Sequence, residues 1–142
     1  MDADEKLAKH IELIQSVINR MAGNSFLLKG WTVTLVAGLF ALAAGGGDWR
    51  YAAIGLLPSL SFWWLDAYYL RQERLFRKLH DAVRVGAPAS HPYCMSTGEY
   101  AAGIPSLIKT AFSKTVLAFH GIVVITVVVV TLVLANHCLK ES

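Results

Sequence analysis

The chain has 142 residues, which is room for a single domain. Apolar residues make up 55% of it and charged residues only 16%, which excludes a disordered chain and argues against a water-soluble domain. The formal net charge is +3, and the uneven placement of the basic residues bears on orientation.

Residues 4–22 read as an amphipathic helix. Leu7, Ile11, Ile14, Ile18 and Met21 recur every three or four positions, and Asp4 and Glu5 suit the positive end of a helix dipole. Gly23 and Asn24 are expected to end this helix, which would lie on the inner leaflet or pack on the cytoplasmic segment. His10 and Glu12 are expected on its solvated side. The acidic N-terminal segment does not have the pattern of a secretory signal.

Three apolar blocks follow. The first, 26–44, holds one charge, Lys29; the second, 51–70, holds one, Asp66; the third, 116–135, holds none. Each is about 20 residues, which at about 1.5 Å per residue matches a hydrocarbon layer of about 30 Å. The VVITVVVV run of the third block has strand propensity, but its length and the need to satisfy every backbone group in lipid favour helix. Three buried helices of a soluble protein would leave too little polar sequence to cover them. Gly45, Gly46, Gly47 and Asp48 make a short link between the first two blocks. No Lys-Ser/Thr pair follows, so it is not read as a phosphate loop.

The second span is expected to run on as helix to residue 85, with Phe76, Leu79 and Val83 on one stripe and Arg71, Arg74 and Lys78 on another. Gly86, Pro88 and Pro92 should break it, leaving a cytoplasmic stretch over 86–115 with a short helix between Ile104 and Phe112. Leaving Lys29 aside, residues 1–25 and 71–115 hold ten Lys and Arg, against Arg50 and Lys140 elsewhere. The positive-inside rule therefore sets the N-terminus and 71–115 in the cytoplasm and the C-terminus in the periplasm. Trp49 and Tyr51 would mark the outer interface; Trp31, Trp63, Trp64, Tyr68 and Tyr69 the inner one. Cys94 and Cys138 lie on opposite sides of the third block, so no disulfide within the chain is expected.

Two groups of residues could carry function. Lys29 and Asp66 stand about 4.5 and 6 Å inside the inner ends of antiparallel spans, and His120 reaches a similar depth in the third. An ion pair between Lys29 and Asp66, within or between subunits, is one reading; a snorkelling Lys29 with Asp66 facing water is the other. Arg71, Arg74, Arg77, Lys78 and Arg84, beside Tyr68, Tyr69 and Phe76, form a patch for phosphates and bases. Anionic lipid is its plainer partner, and Glu73 and Asp81 would neutralise part of it by pairing with Arg77. Gly30, Thr34 and Gly38 share one face of the first span, and Gly55 and Ser59 one face of the second, spacing that lets helices approach within or between subunits. The sequence has no HExxH, CxxC or GxSxG pattern, so neither enzymatic activity nor a metal or cofactor site is expected.

The stretches IELIQSVINRMAGNSFLLKGWTVTL and SFWWLDAYYLRQERLFRKLHDAVR resemble a family of small bacterial integral membrane proteins. Its hallmark is the pairing of NSF-LKGW with LDAYYL-RQERLFR, which here contains Lys29, Trp31, Asp66, Tyr69 and Arg74. The resemblance extends to the membrane effectors of the Hailong type of anti-phage defence. It implies a homo-oligomeric, tetrameric ion channel in the inner membrane. Single-stranded DNA oligomers, made by a partner nucleotidyltransferase, would hold it shut, and their loss on infection would open it and arrest or kill the cell. The expected fold is thus an all-α, three-span, homo-oligomeric membrane protein. The expected function is a pore closed by a nucleic-acid or nucleotide ligand, with a non-conducting adaptor or a small transporter subunit as alternatives.

Overall fold

A computed structural model describes residues 2–46, 48–86 and 93–141. Their order is α1 (Ala3–Gly46), α2 (Trp49–Ile54), α3 (Leu56–Arg84), a 3-10 helix (Gly98–Gly103), α4 (Leu107–Ala111) and α5 (Lys114–Glu141). The described residues contain no strand; the valine-rich third block is helical throughout. Gly47, Pro88 and Pro92 lie outside the described residues.

The expected stop at Gly23 and Asn24 does not occur. α1 runs unbroken for 44 residues through both, joining the predicted amphipathic segment to the first apolar block. A glycine inside a helix costs about 1 kcal/mol. Contacts on both sides offset this cost: Ile14 and Ile18 pack on Leu79 and Val83, and Ser25 bonds to Asp66.

The second apolar block is divided at Gly55 rather than forming one rod. Pro58 has no N–H to offer the Ile54 carbonyl, so it is tolerated only in the first turn of a new helix. Gly55 supplies the close approach there. A Cβ on it would stand 2.9 Å from the Ala52 carbonyl oxygen and 3.6 Å from Val127 of α5. α3 then continues without interruption to Arg84, and Gly86 follows in the left-handed region (φ +75°). At the other end of the block, the Asp48 carboxylate caps α2 by accepting from the Arg50 N–H at 2.9 Å.

α3 is the central element, packing along α1 and also against α4 and α5. The first half of α1 and the second half of α3 share a core of Ile14, Ile18, Leu79 and Val83, closed by Phe76, Met95 and Tyr100. A second cluster joins Ala67, Ala111 and Val116, with Trp63 and Leu107 around it.

α1 and α5 are each long and apolar enough to cross a membrane. Only 17% of the most apolar window of each is buried within the chain, whereas a core helix of a soluble protein is mostly buried. Leu42, Ile122, Ile125 and Val133 face outward instead. So much outward apolar surface suits a membrane protein.

Candidate functional site

Asp66 lies eleven residues into α3, on the face that meets both α1 and α5, and has no exposed surface. Three donors from two other helices converge on it. Ser25 Oγ donates to Oδ1, Lys29 Nζ lies 2.6 Å from Oδ2, and His120 Nε2 lies 2.9 Å from the same oxygen. Lys29 Nζ also donates to Ser25 Oγ at 2.9 Å, closing a ring of polar contacts. Ser25 and Lys29 are four residues apart on α1, so one helical turn aims both at the carboxylate.

A carboxylate taken from water is costly unless paired and hydrogen-bonded, and here three donors meet it. The ionised carboxylate can only accept, so the His120 proton that meets it sits on Nε2. Trp63, one turn before Asp66, lies parallel to the His120 ring at a centroid distance of 6.2 Å and donates its Nε1–H to the Ala111 carbonyl at 2.9 Å. Phe119 meets the same imidazole edge-on at 5.0 Å. The ring is thus fixed by aromatic walls, while its Nδ1 is buried and has no hydrogen-bond partner among the described residues.

The structure therefore brings Lys29, Asp66 and His120 together within one chain. Ser25 and Trp63 complete the cluster; the sequence reading passes over Ser25 and takes Trp63 only as an interface marker. Their signal was only positional: each stands one turn from a charged residue on the same helix face. Trp63, expected as an interface marker, is half-buried against Ala111, Phe112 and His120. Trp31 is 58% exposed on the outward face of α1, and Tyr68 and Tyr69 meet edge-on at 5.6 Å on α3.

The basic residues occupy the continuation of α3. Arg71 Nε donates to the Pro105 carbonyl at 3.3 Å, fixing the approach to α4. Arg77 pairs with Glu73 at 2.8 Å, as the i,i+4 spacing predicts, but Asp81 approaches His80 instead of Arg77. Arg74, Arg77 and Lys78 line a cleft of about 260 Å³ with Asp81 and Gly103–Pro105. Arg74, Lys78 and Arg84 form no ion pair among the described residues, and Lys78 and Arg84 are exposed.

His10 departs from its expected solvated position. It is buried, its Nε2–H donates to the Cys94 carbonyl at 3.0 Å, and Tyr93 packs on its edge. The cause is the 93–95 segment, which folds back over α1. Glu12 stays exposed and pairs with Lys9 at 2.9 Å.

The glycine faces divide in two. Gly55 and Ser59 are packed inside the chain, whereas Gly30, Thr34 and Gly38 lie open beside Phe26, Leu27 and Trp31. No group of His, Cys, Asp and Glu among the described residues could hold a metal ion. Comparisons with protein families, curated proteins and solved structures give no match to this chain.

Proposed function

We propose that the chain is a pore-forming effector of the bacterial inner membrane, gated by a polyanionic ligand at its basic cytoplasmic face. The observation that carries this reading is the continuity of α3. One unbroken helix holds the buried Asp66 at one level and Arg71, Arg74, Arg77 and Lys78 within the next four turns. A ligand bound to those side chains pulls on the same rod that Lys29 and His120 clasp. The resemblance to Hailong-type effectors supplies the ligand class, a single-stranded DNA oligomer or nucleotide made by a partner nucleotidyltransferase. It also supplies the context, anti-phage defence.

In this reading α1 and α5 form two crossings, and α2 with the start of α3 forms the third, bent at Gly55. At about 1.5 Å per residue α1 is about 66 Å long, twice the hydrocarbon thickness. Its first half therefore stands in the cytoplasm as an amphipathic helix on the end of α3, with the C-terminus on the periplasmic side. Three helices enclose no pore, so conduction requires several copies, four by resemblance. The open Gly30–Thr34–Gly38 face allows close contact between copies. The guanidinium and ammonium groups would then ring the mouth, repelling one another and holding it apart until a polyanion neutralises them and lets it close.

Planar-bilayer recording of the purified protein tests this. Conductance without ligand, suppressed by short single-stranded DNA, is the expected result. A silent bilayer in both conditions would reject the pore. A groove between α1 and α3, lined by Ala8, Ile11, Gln15, Asn19 and His80, favours a second reading: a non-conducting adaptor that docks a soluble partner there. An adaptor would leave the membrane potential intact and retain a protein partner on purification.

A further inference from the structure

Two recesses open on the seam between α3 and the chain that leads from the 3-10 helix through α4. The first is the cleft of about 260 Å³ where Arg74 and Lys78 face Ile104 and Pro105. The second is a groove of about 210 Å³ between Leu60, Trp63 and Trp64 of α3 and Ala111 and Phe112. Phe112 meets Trp63 edge-on at 5.7 Å, and Leu60, Trp64 and Phe112 are exposed, so the groove is an open apolar slot. Leu60 and Lys78 stand about five whole turns apart, which sets both recesses on one side of α3. α4 joins them. Arg71 holds its entry through the Pro105 carbonyl, Trp63 holds its exit through the Ala111 carbonyl, and Ile108 between them is exposed.

We propose that one anionic phospholipid of the cytoplasmic leaflet occupies both recesses, with its phosphate on Arg74 and Lys78 and an acyl chain in the Trp63–Trp64–Phe112 groove. Level, length and charge select this occupant. With Leu70 at the inner edge of the hydrocarbon, Arg74 stands about 6 Å beyond it, inside a headgroup layer of about 5–7 Å per leaflet. Lys78 starts about 12 Å beyond, but side chains on α3 lean toward its N-terminus, here toward the membrane, and a lysine stem reaches further back. From Leu60 to Arg74 is about 21 Å, the thickness of one leaflet with its headgroups. Arg74 and Lys78 form no ion pair among the described residues, whereas Arg77 in the same cleft is held by Glu73. Asp81 is the one carboxylate lining the cleft, and a headgroup that carries hydroxyls, as phosphatidylglycerol does, gives it donors. A soluble polyanion would satisfy the cations and leave the apolar groove bare.

The inference rests on the membrane placement proposed above and on neither conduction nor DNA. Failure of the pore or of DNA gating would leave it standing, and failure of lipid selection would leave those two readings untouched.

The test is quenching of tryptophan fluorescence by brominated lipid in the full-length chain carrying Trp31→Phe and Trp49→Phe, so that only Trp63 and Trp64 report. Mixed bilayers of phosphatidylcholine and phosphatidylglycerol carry bromine on the acyl chains of one lipid or the other, at equal mole fraction. Brominated phosphatidylglycerol should compete for the two tryptophans several-fold better than brominated phosphatidylcholine. That preference should be lost in Arg74→Gln, Lys78→Gln. It should persist in the charge-matched variant Arg20→Gln, Lys114→Gln, which removes two exposed cations from the same side of the membrane. Free glycerol phosphate, compared with chloride at equal ionic strength, should not relieve the quenching. Three results would each overturn the proposal: equal quenching by the two lipids, equal loss of preference in both double variants, as a general surface potential gives, or relief by the free phosphate. Should the chain with two tryptophans fail to fold, the four-tryptophan chain with and without Arg74→Gln, Lys78→Gln decides it.

Discussion

Removal of Lys29 alone strands a wholly buried carboxylate with only Ser25 and His120 as donors. Breaking one partner from a buried pair costs about 3–5 kcal/mol. Lys29 is partly exposed, so Lys29→Met should fall near about 3 kcal/mol, read as thermal unfolding in detergent. The double variant Lys29→Met, Asp66→Leu removes both charges together and should recover much of that loss. Exchange of the charges (Lys29→Asp with Asp66→Lys) should likewise be less damaging than either reversal alone. If neither double variant is more stable than its worse single parent, the pair is not what joins these helices. Proximity of the two residues was legible in the sequence, because both stand near the same ends of antiparallel apolar blocks. The ring through Ser25 was not legible. A lone serine before an apolar run carries no periodic or charge signal, and only the rotation of α1 about its axis aims it at Asp66.

At the scale of helices, sequence and structure part at two glycine positions for opposite reasons. Gly23 looked like a terminator, yet α1 passes through it, because tertiary contacts on both sides outweigh a propensity term of about 1 kcal/mol. Gly55 stood in an apolar block and did not look like a boundary, yet the helix divides there, because Pro58 cannot bond back to Ile54. The three apolar blocks and the long basic end of α3 could be read from composition and spacing. The break inside the second block was marked by Pro58, whereas the close approach of Gly55 to Val127 of α5 depends on packing that no spacing shows. The difference between open and packed glycines gives a prediction. Gly55→Ile forces a side chain into the Ala52 carbonyl and Val127 and should cost about 1–3 kcal/mol as overpacking. A Cβ on Gly38 meets nothing within 4 Å, so Gly38→Ile should leave an isolated chain as stable as before or slightly more so. If α1 meets a second copy through that face, Gly38→Ile should instead lower the oligomer mass in native mass spectrometry.

For the molecule as a whole, the basic end of α3 is either a ligand site or a topology signal, and ionic strength separates the two. Binding to single-stranded nucleic acid releases about 0.7 counterion for each phosphate neutralised, which fixes the slope of log affinity against log salt. Arg71, Arg74 and Lys78 share one stripe, and only Arg71 has a contact of its own, to the Pro105 carbonyl. Replacing all three by alanine removes three cations from that stripe while leaving the Ile14, Ile18, Leu79 and Val83 core untouched. If each meets one phosphate, the slope should become shallower by about 2. Affinity for a short single-stranded oligonucleotide should fall most at low salt, where counterion release contributes most. Fluorescence anisotropy over a salt series, with the protein in neutral-lipid nanodiscs, reads both quantities without interference from anionic headgroups. An unchanged slope and affinity would mean that these cations face lipid and orient the chain, and the pore would then need a gate elsewhere. A shallower slope together with loss of oligonucleotide block in bilayer recordings would tie the ligand to the helix that carries Asp66.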